Sequence, residues 1–82
     1  MKYVAMVTET DTDYTYALCE AETYDLLITK IEEMEDLDIR FNKKDKMQFN
    51  GWIFTEGEYE EGDYREPFCY ETPIKGRIEE VV

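Results

Sequence analysis

Residues 2–9 hold an apolar run, with Tyr3, Ala5 and Val7 on one side and Val4 and Met6 on the other, the pattern of a strand covered on both faces. This strand is expected inside its sheet. The run Thr10-Asp11-Thr12-Asp13 supplies turn formers, and residues 14–20 resume as a second strand. A four-residue loop would pair Val7 with Tyr16, Met6 with Ala17, Ala5 with Leu18 and Val4 with Cys19. Val4, Met6, Ala17 and Cys19 would then form a smooth bed for a helix. From residue 23 to 37 the period changes, and Tyr24, Leu27, Ile28, Ile31, Met34 and Leu37 recur at three-and-four spacing. One amphipathic helix is predicted there, with Thr23 as its N-cap and Asp25 in its first turn.

Beyond residue 37 the apolar runs are short. Ile39-Arg40-Phe41 reads as a third strand and residues 42–46 as a polar loop. Asn50-Gly51 between Met47-Gln48-Phe49 and Trp52-Ile53-Phe54 predicts a two-residue type I′ hairpin, because both turn positions need positive φ. That register pairs Phe49 with Trp52 and Met47 with Phe54, which places four large apolar groups on one face. Residues 56–66 hold six acids, two glycines and one base and read as a solvated loop. Residues 68–71 form a further strand, Thr72-Pro73 a turn, and residues 77–82 a final edge strand whose start Pro73 and Gly76 blunt. The expected fold is α+β over a single small acidic domain, residues 1–82. One helix packs on an antiparallel sheet of about five or six short strands, ββα and then a β-meander.

Charge changes this picture more than size does. The 82 residues carry 21 acids and 9 bases, a net charge of −12. Residues 1–38 hold 11 acids and 2 bases, residues 39–55 hold 1 acid and 4 bases, and residues 56–82 hold 9 acids and 3 bases. Such a chain repels nucleic acid and anionic membrane and attracts basic protein surfaces. No direct nucleic-acid contact is therefore expected. There is no His and no Ser, so the Ser-His-Asp triad and the Cys-His pair are excluded and the commonest acid-base group is missing. The four glycines are scattered and none opens a helix, which removes a phosphate-cradling loop. Asp11, Asp13 and Glu22 have a superficial calcium-loop spacing, but Tyr16 stands where that loop's sharp turn requires Gly. No enzyme activity, cofactor or metal is expected. With no membrane-length apolar run and no leader pattern, the chain reads as cytosolic, and Cys19 and Cys69 as two buried, reduced thiols.

The candidate site is the acidity itself. Glu22, Asp25, Glu32, Glu33 and Asp36 would lie within about a 100° arc over roughly 20 Å of the predicted helix, with Thr29 among them. The acidic segment adds Glu58, Glu60, Glu61 and Asp63, with Tyr59 and Tyr64 as aromatic anchors of the type enriched at interface hot spots. A duplex strand presents a phosphate every ~3.4 Å along its axis, so a carboxylate row on a rigid scaffold can imitate it to a protein that binds phosphates with Lys and Arg. In size, charge and lack of catalytic residues the chain resembles the small acidic inhibitors that phages and mobile elements deploy against host nucleases and CRISPR effectors. That resemblance is one of composition and implies a non-enzymatic partner of a basic nucleic-acid-binding protein. Two other readings remain at this level. One is an oligomeric nucleotide binder using Arg40, Lys43, Lys44 and Lys46; the other is a structural or regulatory subunit whose acidity serves solubility.

Overall fold

Five strands and one helix follow one another: β1 (Lys2–Glu9), β2 (Tyr14–Ala21), α1 (Tyr24–Glu32), β3 (Leu37–Phe41), β4 (Gln48–Glu61) and β5 (Tyr64–Val81). In this computed structural model, which describes residues 1–82, the strands form one antiparallel sheet in the order β2-β1-β5-β4-β3. The fold is α+β, mostly sheet, with a single helix packed on one face. β1 lies inside the sheet, as its two apolar faces require. The arrangement departs from the expected row of short strands, because β5 runs for 18 residues and is central, flanked by β1 and β4. It is not an edge strand, and Thr72-Pro73 is not a turn. Pro73 is tolerated because its carbonyl faces β1 and accepts the Thr10 N–H at 3.0 Å, so its missing donor points past the end of β1 and not into the β4 ladder.

The β1–β2 hairpin keeps the expected pairs Val7–Tyr16 and Met6–Ala17, then shifts by one residue between Ala5 and Met6. Ala5 pairs with Cys19 instead of Leu18, and Val4 with Glu20 instead of Cys19. The bulge lets Tyr16, Leu18, Cys19 and Ala21 all pack on the core although their spacing is not a strict alternation. It also changes the bed of the helix. Leu27 and Ile31 rest on Ala5, Val7 and Ala21, with Phe49, Ile74 and Ile78 completing a core of eight. Val4, Met6 and Ala17 belong to the opposite face.

The helix is shorter than the apolar period suggests. Thr23 caps it as expected, its hydroxyl accepting the Leu26 N–H at 3.1 Å, and Asp25 sits in the first turn. It stops at Glu32, with Glu33 as C-cap. Glu32, Glu33, Glu35 and Asp36 would crowd the negative end of the helix dipole, and Leu37 instead pairs with Ile53 to open β3.

Asn50-Gly51 is not a turn. Both residues lie inside β4, where Asn50 pairs with Arg40 and Lys75, and Gly51 with Ile39 and Ile74. Glycine is needed at 51 because a Cβ there would overlap the Asp38 carbonyl of β3. The real turn lies eleven residues on, at Gly62-Asp63 between the paired Glu61 and Tyr64. Gly62 has φ of 62° while Asp63 stays at negative φ, the pattern of a type II′ hairpin. Two outcomes follow for stability measured by urea unfolding. Gly51→Ala is expected to cost about 2 kcal/mol or more, because strand backbone must move. Gly62→Ala, with nothing near its Cβ, costs about 1–2 kcal/mol through its positive φ alone. Equal tolerance at Gly51 and a solvent-exposed site would contradict this placement.

Candidate functional site

β4 and β5 pair over 14 positions, from Gln48–Arg77 to Glu61–Tyr64, and the far part of this ladder has no third strand beside it. The segment expected as a loop is therefore the end of a two-stranded ribbon. The molecule measures 52 × 21 × 21 Å, and this ribbon accounts for its elongation. An isolated two-stranded ribbon is marginal in water, so its side-chain pairs matter. The Phe68 ring covers Gly57 across the ladder and stacks on Tyr70 with centroids 6.0 Å apart. Arg65 pairs with Glu60 at 3.2 Å, and the Tyr59 hydroxyl donates to Glu61 at 3.4 Å.

Strand alternation sorts the ribbon's chemistry onto two faces. One face holds Glu56, Glu58 and Glu60 in a column at about 6.8 Å intervals, with Arg65, Pro67 and Cys69 opposite. The other holds Tyr59 and Glu61 with Tyr64, Glu66, Phe68 and Tyr70 opposite. All four rings are exposed, at 56% for Tyr59, 59% for Tyr64, 42% for Phe68 and 55% for Tyr70. Asp63 stands in the turn at the tip. Glu58, Tyr59, Glu60, Glu61, Asp63 and Tyr64 are thus brought together, with Glu58 and Glu60 on one face and Tyr59, Tyr64 and Glu61 on the other. Glu56, Phe68 and Tyr70 belong to the same surface and were missed by sequence reasoning. The period-two spacing of Glu56, Glu58 and Glu60 before Gly62-Asp63, and of Tyr64, Phe68 and Tyr70 on the even positions after it, is the signal that could have found them.

The helical row does not exist as expected. Only Asp25 and Glu32 lie on α1, about 10.5 Å apart along the axis. Glu22 precedes the cap, Glu33 ends the helix, and Asp36 lies in the turn before β3. Glu22 and Glu33 border a shallow concavity of about 660 Å³ that also contains Lys2 and Lys30, so the surface there is of mixed sign. Lys2 pairs with Glu20 at 3.1 Å, and Lys30 donates to the Glu20 carbonyl at 2.7 Å. The Tyr16 phenol is pushed up from its usual value by burial first and then by Glu9, Tyr14 and Asp36.

Arg40 projects from β3 beside Asn50 and Lys75, and the concavities it borders contain none of Lys43, Lys44 and Lys46. The four bases expected to hold a nucleotide do not share a pocket. No helix is long and apolar enough to cross a membrane. The fold and site together define an α+β domain with a projecting, chemically two-faced β-ribbon. No family model, curated protein or solved structure matches the chain.

The thiols also differ from expectation, since Cys69 is exposed on the ribbon and Cys19 is half-buried; both are free. Burial pushes the Cys19 thiol up from its ordinary 9.0, against a smaller downward pull from Lys30. A raised pKa and restricted access both slow attack by the thiolate. At neutral pH iodoacetamide is expected to modify Cys69 at least about tenfold faster than Cys19, read by peptide mass spectrometry. Equal rates would contradict the burial of Cys19.

Proposed function

We propose that this chain is a non-enzymatic inhibitory binding protein of phage or mobile-element origin. It acts in the host cytosol by laying its ribbon into the basic nucleic-acid-binding groove of a host nuclease or CRISPR effector. The observation that carries this reading is the segregation of the ribbon's two faces. Grooves that hold single-stranded nucleic acid combine a cationic track for phosphates with aromatic platforms for bases. A ribbon with a carboxylate column on one face and exposed flat rings on the other offers a counterpart for each. The column's interval of about 6.8 Å is twice the axial phosphate repeat of one duplex strand, so alternate phosphate sites could be met in register.

Charge and rings divide the work. Six acids in residues 56–66 raise the rate of encounter with a basic surface, and Tyr59, Tyr64, Phe68 and Tyr70 slow dissociation by burying ring area. Contact is made by the ribbon, with Glu22, Asp25, Glu32, Glu33 and Asp36 contributing only long-range attraction. The cross-strand pairing of the ribbon lowers the ordering cost on binding.

Affinity capture from a bacterial lysate tests this directly. The chain is expected to retain a basic nucleic-acid-binding protein that is eluted by salt and displaced by single-stranded oligonucleotide. The triple variant Glu56→Gln, Glu58→Gln, Glu60→Gln is expected to lose at least about tenfold in affinity while unfolding at the same temperature. Retention that ignores both the oligonucleotide and the triple substitution would overturn the proposal.

A further inference from the structure

The sheet face turned away from α1 carries a second charge pattern, which shares Glu56 with the ribbon's carboxylate column. Trp52 and Pro73 form a row across β4 and β5 in the middle of this face. Two residues from Pro73 toward the base of the sheet stands Lys75, and two residues toward the ribbon stands Glu71. Two rows from Trp52 toward the base stands Arg77, beside Gln48, and two rows toward the ribbon stands Glu56. Lys75 and Arg77 on one side and Glu71 and Glu56 on the other are thus reversed about the Trp52 row, in which Asp38 of β3 also stands, while Glu79 lies two residues beyond Arg77.

None of these four charged groups is neutralised inside the chain, whose ion pairs are Lys2–Glu20 and Arg65–Glu60. The surface is concave on both sides of the row. On the basic side two shallow concavities of about 390 and 400 Å³ both include Arg40, Asn50 and Lys75. On the acidic side one of about 580 Å³ is bordered by Glu35, Asp36, Phe54 and Glu56. Trp52 itself is 43% exposed although its strand neighbour Phe49 is buried.

A face whose charges invert on reversal is complementary to itself after a half-turn, which is the requirement of an isologous interface. We propose that this face joins two copies of the chain about a two-fold axis through the Trp52–Pro73 row. Lys75 of each copy then meets Glu71 of the other, Arg77 reaches toward Glu56 one strand to the side, and the two Trp52 rings lie against each other at the centre. Lys75 and Glu71 sit on the same strand at equal ~6.8 Å distances from the row, whereas Arg77 is on β5 and Glu56 on β4, one strand to the side. Five rows over three strands cover roughly 400 Å² per copy, the range of weak, reversible association. The net charge of −12 on each copy opposes pairing, but charges more than ~8 Å apart are largely screened at physiological salt whereas the facing pairs are not. The aromatic face of each ribbon points the other way and stays free.

Sedimentation equilibrium of the whole chain over about 5–500 µM is the test, with a shift from 9.8 kDa toward twice that mass expected as concentration rises. Lys75→Glu and Glu71→Lys are each expected to weaken association at least about tenfold, and the double variant to restore it to within about threefold. Residues 71 and 75 stand about 13.6 Å apart on one strand, so they cannot pair within a copy and restoration can arise only between copies. A wild-type mass of one chain at every concentration, or a double variant as weak as the singles, overturns the proposal. Because no other protein is present, this result is separate from the fate of the proposed inhibitory function.

Discussion

The antiparallel ladder between β4 and β5 is what the rest of the structure depends on. Its inner rungs bring Phe49, Ile74 and Ile78 under the helix, and β5 carries the link onward to β1 through eight further pairs that end with Lys2 opposite Val81. Without that ladder, the β1–β2 hairpin with its helix and the β3 strand have no common sheet. Its outer rungs continue beyond any covering element and turn an acid-rich segment into an ordered arm. The β4–β5 ladder closes from its two-residue turn, and the larger loop-closure cost falls on the pairing of β1 with β5, which joins Lys2 to Val81.

Glycine and aromatic residues make the long ladder possible. At Gly76 the Phe49 ring lies over the backbone of the neighbouring strand, and at Gly57 the Phe68 ring does the same on the ribbon. At Gly51 the absent side chain lets β3 approach β4. Only Gly62 uses its freedom to adopt positive φ. The carboxylates of the ribbon have a structural consequence too. A free strand edge invites pairing with another chain, and a line of like charges along it opposes that.

Much of the N-terminal half was legible in the sequence. The alternation of β1, the Thr23 cap and the opening helical period all have local causes, and local causes are what a sequence displays. The Asn50-Gly51 reading failed for a physical reason. The pair has the right residues for a type I′ turn and yields a sensible register, but a two-residue hairpin would have wasted residues 55–61, which find partners in 64–70. The choice between the two registers is made by the whole length of the ladder and not at the glycine. The helix was overextended because Leu37 fits the helical period and the strand period equally well, and tertiary pairing with Ile53 decides it. Of the candidate site, the ribbon residues were found by their composition. Their division into two faces could not be, because it depends on treating as strands what composition marks as loop.

Residues 55–70 form a continuous two-stranded ribbon in the register that sets Glu56, Glu58 and Glu60 on one face and Tyr59, Tyr64, Phe68 and Tyr70 on the other. Two-dimensional nuclear Overhauser spectroscopy measures this most directly. Cross-strand contacts between Thr55 and Tyr70, Tyr59 and Glu66, and Trp52 and Pro73 are the expected result. Contacts between Phe49 and Trp52 and between Met47 and Phe54, with random-coil chemical shifts over 56–66, would contradict it.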